Sequence, residues 1–196
     1  MYFAVIGDIL SNFSGLKTIL DRLEMEGIRR VYHTGNICAA GQNPGACITM
    51  LEACRVICVQ GHLDKKCVKE IRRARYGEER HVATTPFGSD TIEYLNTLPR
   101  KRILTEESLR ILVCHGAVNS GNLILDRATS RAVFQRQRES APADIILSGG
   151  ANEPFSCLVD GVLFVMPGTM AASGGGLRYT LVDTEILPPA ARTVTL

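Results

Sequence analysis

Tyr2-Phe3-Ala4-Val5-Ile6, leading at once into Gly7-Asp8-Ile9-Leu10-Ser11-Asn12, is the stretch around which the chain is organised. A short apolar run rich in strand formers and bounded by turn residues reads as a buried strand of a parallel sheet. Such a strand delivers the next few residues to the carboxyl edge of the sheet, where open α/β folds hold their ligands. The first polar side chain to arrive there is the carboxylate of Asp8.

The same plan repeats downstream. Phe13, Leu16, Ile19, Leu20 and Leu23 share one helical face, which predicts a helix over 13–25 with Ser11 or Asn12 as its cap and Gly27 as its end. A strand over 30–33 runs into Thr34-Gly35-Asn36, Asn43-Pro44 opens a helix to Ala53, and a strand over 55–59 leads into Gly61-His62-Leu63-Asp64. Strand, helix, strand, helix, strand implies a parallel sheet with right-handed crossovers. Lys65 to Arg80 is basic, and such a run reads first as a solvated helix face, with a phosphate-binding groove as the alternative. Residues 81–88 read as a loop. The pattern then predicts a short helix from Asp90 to about Asn96, strands over 102–104 and 109–114, a helix over 127–139 and a strand over 144–148. Asp160-Gly161 lies between two apolar runs, which marks a hairpin. The last predicted strand is 177–182, and the proline-containing remainder is expected to be a poorly ordered tail.

A chain of 196 residues, 45% hydrophobic and 21% charged, suits one domain over 1–196 with a substantial core. No apolar run reaches the roughly 18 residues of a membrane span, and Met1 leads straight into the first strand with no signal segment in view. The formal charge of +2 gives no argument for nucleic acid. The seven cysteines are odd in number, include no Cys-x-x-Cys pair and sit largely in apolar runs. They read as buried free thiols, so the expected location is the reducing cytoplasm.

The polar residues at strand ends form a constellation: Asp8, Asn36, His62, His115 and, just past a glycine pair, Asn152. Carboxylate, amide and imidazole are donors that divalent metals accept. A lone histidine after a strand is more often packed or hydrogen-bonded than a ligand. It is the recurrence at one sheet edge that points to a site.

Around these residues the chain resembles the calcineurin-like metallophosphoesterases, in particular their small bacterial and archaeal branch, from Tyr2 to Asp183. That family reads G-D-x-H-x-N, then L-G-D-x-x-x-x-G-x-x-P, G-N-H-D, H-G, G-H-T-H-x-P-F and N-P-G-S. Here the corresponding stretches are Gly7-Asp8-Ile9-Leu10-Ser11-Asn12, then Thr34-Gly35-Asn36 with Gly41 and Pro44, and Gly61-His62-Leu63-Asp64. His115-Gly116, Gly149-Gly150-Ala151-Asn152-Glu153-Pro154-Phe155 and Met166-Pro167-Gly168-Thr169 complete the series. The resemblance implies a four-layered α/β/β/α sandwich of two mixed sheets, and a two-metal site that activates water against a phosphate ester.

The departures fall on that chemistry. By the resemblance, Asp8 keeps its place as a ligand of the first metal and His115 as a ligand of the second. Leu10 stands where that first metal has a histidine, Asn36 where the bridging aspartate belongs, and His62 where the second metal has its asparagine. Leu63 occupies the position of the histidine that protonates the leaving group, so no catalytic residue is assigned. Gly150 and Asn152 replace the last two histidines. Two dications roughly 3.5–4 Å apart need anions between them, and loss of a general acid alone costs about 10²- to 10⁴-fold in rate. The expected cofactor is therefore none, or one divalent ion (manganese, zinc or iron) on Asp8, Asn36, His62, His115 and Asn152. Three functions are open at this point: an impaired or inactive pseudo-phosphoesterase kept as a binding module, a weak single-metal hydrolase, or a phosphate or nucleic-acid binder using residues 65–80. The expected partners are a phosphate-containing ligand or another protein, with no membrane, and nucleic acid is not the expected partner.

Overall fold

The structure, a computed structural model, describes residues 1–39, 42–76 and 88–196, without the side chains of 71–76 and 89. Gly41, the loop expected over 81–87 and the end of the basic run therefore lie outside the described residues.

The opening stretch forms β1 (Tyr2–Ile6), whose last four residues are buried. It pairs in parallel with β2 (Val31–His33), which pairs in parallel with β3 (Ile57–Cys58). The intervening helices are α1 (Phe13–Met25) and α2 (Gly45–Ala53). Asn12 caps α1, its Oδ1 accepting the Gly15 N–H at 2.9 Å. Next come α3 (His62–Tyr76) and α4 (Ser89–Thr97). A second sheet comes after them: β4 (Lys101–Glu106), β5 (Leu109–His115), α5 (Arg131–Glu139), β6 (Ile145–Gly149), β7 (Phe155–Val159) and β8 (Val162–Met166). Its strand order is β4-β5-β6-β8-β7, with β5, β6 and β8 parallel. The Asp160-Gly161 turn joins β7 to β8 with both residues at positive φ, as a two-residue hairpin turn requires. The chain then returns as β9 (Arg178–Asp183), antiparallel beside β1.

Alternation along the strands builds the layers. Phe3, Val5 and Tyr32 of the first sheet pack with Ile111, Val113, Ile145, Leu147 and Val165 of the second. Ala4 and Ile6, pointing the other way, pack with Leu16, Ile19 and Leu23 of α1, Leu51 of α2, Val68 of α3 and Leu95 of α4. The outer face of the second sheet, through Ile146 and Phe164, packs against Phe134 of α5. The result is helices, sheet, sheet, helix, the expected four layers of an α/β fold with two mixed sheets.

Two expectations are corrected. The tail is ordered: β10 (Ala190–Thr195) pairs antiparallel with the whole of β9 and forms the edge of the first sheet. An edge strand buries little, so Ala191 and Val194 suffice to anchor it. The helix expected from Arg127 begins at Arg131, because Asp126 closes a turn ahead of it by accepting from Ala128 N at 2.9 Å and Thr129 Oγ1 at 3.1 Å. His62 and Asp64 stand in the first turn of α3.

Candidate functional site

The loops after β1 and β2 are stitched together at the carboxyl edge of the first sheet. Ile9 and Leu10 both donate their N–H to the Asn36 carbonyl at 3.1 Å, and Ser11 N–H donates to the Ile37 carbonyl at 2.7 Å. Leu10, Ser11 and Asn36 all take left-handed backbone conformations, with φ of 52°, 60° and 63°. For residues other than glycine such geometry persists only where neighbours enforce it. At Asn36 the enforcer is Asp64. Fully buried, it accepts the N–H of Asn36 and of Gly61 on Oδ2 and that of Cys38 on Oδ1, each at 2.9 Å. Burial pushes the Asp64 carboxyl up, against the pull of those three N–H groups.

Within this frame Asn36 is turned towards Asp8. Its Nδ2 donates to Asp8 Oδ2 at 2.7 Å, and its Oδ1 accepts the Leu63 N–H at 2.9 Å. Asp8 Oδ1 is buried without a hydrogen-bond partner among the described residues. Burial raises the Asp8 carboxyl to about 6, the Asn36 bond opposing it. Nearby, His62 Nδ1 and His115 Nε2 lie 2.9 Å apart, and His115 Nδ1 is 2.8 Å from the Thr34 carbonyl. A carbonyl only accepts, so His115 carries its proton on Nδ1 and offers Nε2 as acceptor to His62 Nδ1–H. Burial lowers the His115 imidazole. His33, on β2, is wholly buried with neither ring nitrogen bonded, and burial pulls it down to about 3.

The predicted residues thus come from both sheets: Asp8, Asn36 and His62 follow strands of the first, while His115 ends and Asn152 follows strands of the second. Apart from the wholly buried Asn36 they open on two sides. His62 and His115 line a cavity of about 440 Å³ together with Lys65, Arg100 and Lys101. Asp8 and Asn152 line a separate cleft with Leu10, Ser11, Asn12 and Thr169. Asn152 itself is exposed, and its carbonyl accepts from Thr169 N–H at 3.0 Å and from Arg178 Nη2 at 2.7 Å. Gly150 has φ of 85°, and a Cβ there would strike Ile124 Cδ1, which fills that space. Two structural residues escape sequence reasoning. Asp64 stands within a motif but receives no task from it, and Arg178 stands in none, yet its nearly buried guanidinium binds Glu153 at 2.7 Å and holds the Asn152 turn. Buried charge of that kind carries no periodicity signal. Of the basic run, Lys65 lines the cavity and Lys66 is 3.8 Å from Glu70, while the run from 71 to 80 lies outside the described side chains.

Among the described residues no group of three or more His, Cys, Asp or Glu is placed to hold a metal ion. Nor is any helix among them long and apolar enough to cross a membrane. The profile of the calcineurin-like phosphoesterase superfamily domain matches residues 1–186. An uncharacterized protein of Methanocaldococcus jannaschii is 26% identical over 115 residues, 56% of this chain and 40% of its own, so the match spans less than half of that curated relative. In three dimensions the chain is similar to a hypothetical protein of Pyrococcus horikoshii OT3, with a TM-score of 0.78, 20% identity and coverage of 100% of this chain and 87% of that one. It is likewise similar to a metallophosphoesterase from Sphaerobacter thermophilus, with a TM-score of 0.73, 16% identity and coverage of 100% and 86%.

Proposed function

The chain belongs to the calcineurin-like phosphoesterase superfamily, and from that premise we propose that residues 1–196 act as a single domain in which a hydrogen-bonded polar network replaces the two-metal centre. On this reading the protein is a pseudo-phosphoesterase that binds a ligand in the old active-site region without two-metal hydrolysis. One observation carries it: the Asn36 amide aims an N–H at Asp8 Oδ2, and its oxygen is already engaged by Leu63 N–H. A bridging group must offer lone pairs to two cations, and this one offers a hydrogen to the carboxylate beside it. Leu10 and Gly150 have no donor atom, and His62 occupies the free nitrogen of His115. The donors present do not fit a dinuclear centre.

A second reading has one specific observation in its favour. Asp8 Oδ1 is a buried oxygen with no partner among the described residues, the kind of atom that a single divalent ion satisfies. Manganese, zinc or iron, with water completing the shell, is the candidate there. Calorimetric titration of Mn²⁺ and Zn²⁺ into chelator-stripped protein, with phosphodiester and phosphomonoester turnover measured in parallel, separates the readings. The pseudo-phosphoesterase predicts no two-ion binding and no turnover. One ion bound, and lost with turnover in Asp8→Ala, would favour the weak hydrolase. Two bound ions with turnover would overturn both.

A further inference from the structure

Resting on the reading above, we propose that the cavity beside His62 and His115 binds a phosphomonoester of about mononucleotide size without any metal ion, with Lys65, Arg100 and Lys101 as its anion clamp. These three cations line one cavity of about 440 Å³, within the size range of small-molecule sites. None has a carboxylate partner among the described residues. No Asp or Glu among those residues lines the cavity either. Three unpaired like charges around one concavity repel each other, and a multiply charged anion relieves that repulsion.

The cations come from different parts of the chain and are brought together by specific bonds. Lys65 stands in the first turn of α3, whose positive end opens on the cavity. Arg100 and Lys101 lie where the α4 segment passes into β4. The Gln60 N–H donates to the Pro99 carbonyl at 2.8 Å, and Gln60 Nε2 donates to the Leu95 carbonyl at 2.7 Å. These two bonds pin the β3–α3 junction against the α4–β4 junction, and so bring Lys65 near Arg100. Lys101 sits opposite Cys114 in the β4–β5 ladder, and its charge is felt at that thiol.

The remaining lining is preformed as well. Ser148 Oγ donates to the Gly116 carbonyl at 2.7 Å, and Val118 N–H donates to the buried Gln137 Oε1 at 2.8 Å. Ser120, Asn119 and Asn122 on this loop add uncharged polar groups to the lining. A phosphate between the cations would find charge-assisted donors on one side and a polar wall for the rest of the ligand on the other. In the absence of metal this clamp supplies the positive charge that two dications supply elsewhere.

Adenosine 5′-monophosphate and inorganic phosphate are titrated calorimetrically into the full chain, first in EDTA and then with Mn²⁺. Binding in EDTA that Arg100→Gln and Lys65→Gln each weaken roughly tenfold or more, with unchanged melting temperature, supports the proposal. A stronger response to the nucleotide than to phosphate assigns part of the affinity to the 117–122 wall, and equal responses assign it to the phosphate alone. Absence of binding with and without Mn²⁺, or binding indifferent to both substitutions, overturns this inference and leaves the metal-free reading of the centre standing. Binding that requires Mn²⁺ overturns both.

Discussion

Asn36 Nδ2 donates to Asp8 Oδ2 at 2.7 Å, so the residue at the heart of the polar centre is a hydrogen-bond donor towards the carboxylate beside it. Replacing that amide by a carboxylate tests the relationship directly. Asn36→Asp puts two acceptors at bonding distance in a buried setting, where both cannot stay ionised unaided. The variant is expected to lose about 2–4 kcal/mol at mildly alkaline pH, with the loss shrinking as the solution is acidified and one proton is shared. Mn²⁺ should raise the melting temperature of this variant and leave that of the parent protein unchanged. Thermal melts over a pH series, with and without the metal, check both statements.

Asp64 is expected to matter more for architecture than for any ligand. Asp64→Ala leaves the N–H groups of Asn36, Cys38 and Gly61 buried without an acceptor. The cost should be about 3–5 kcal/mol, read from chemical denaturation. Amide exchange should accelerate at those three residues before it does so in β5 or β6.

The buried ionisable groups give the protein an acid response with two opposing parts. Asp8 titrates at about 6 when folded against 3.8 when unperturbed, so between these values the folded state holds more protons and stability falls as pH rises. His33 titrates at about 3 when folded against 6.5, so over that window the unfolded state holds more protons and stability rises with pH. Each slope is at most about 1.4 kcal/mol per pH unit, and from 3.8 to 6 they oppose each other. Relative to the parent, Asp8→Asn is expected to become more acid-sensitive in that overlap and His33→Leu less so. Urea midpoints at several pH values measure this, and parallel curves for all three proteins would refute it.

At Gly150 the fold leaves no space for a side chain. Its positive φ and the Ile124 side chain lying against it leave no room for a Cβ. Gly150→Ala should cost about 1–3 kcal/mol, and part of that should return when Ile124→Ala is added. Full recovery would mean that crowding alone sets the cost, and no recovery would assign it to the backbone.

Much of this molecule is legible in its chain. Helix α1 has the predicted bounds because its apolar spacing and the Asn12 cap are local properties. The Asp160-Gly161 hairpin arises in the same way from the backbone freedom of two residues. The buried β1 run, the alternation of strands and helices, and the placing of Asp8, Asn36 and His62 at the carboxyl edge of the first sheet are likewise readable, because parallel strands bring their carboxyl ends together. His115, by contrast, joins them from β5 of the second sheet through sheet packing. β10 is not, since an edge strand buries too little to leave a hydrophobic signature and it meets β9 only through the turn between them.

What the tertiary structure alone decided is the direction in which each polar group is spent. The sequence names an asparagine at position 36 and a histidine at 62. Only the fold turns the one to donate to Asp8 and sets the other at the free nitrogen of His115. It also gathers Lys65, Arg100 and Lys101 from distant segments around one cavity. Residue identity determines what a group can donate or accept, whereas hydrogen-bond partners and charge neighbours depend on contacts between segments far apart in the chain, for which no local pattern exists.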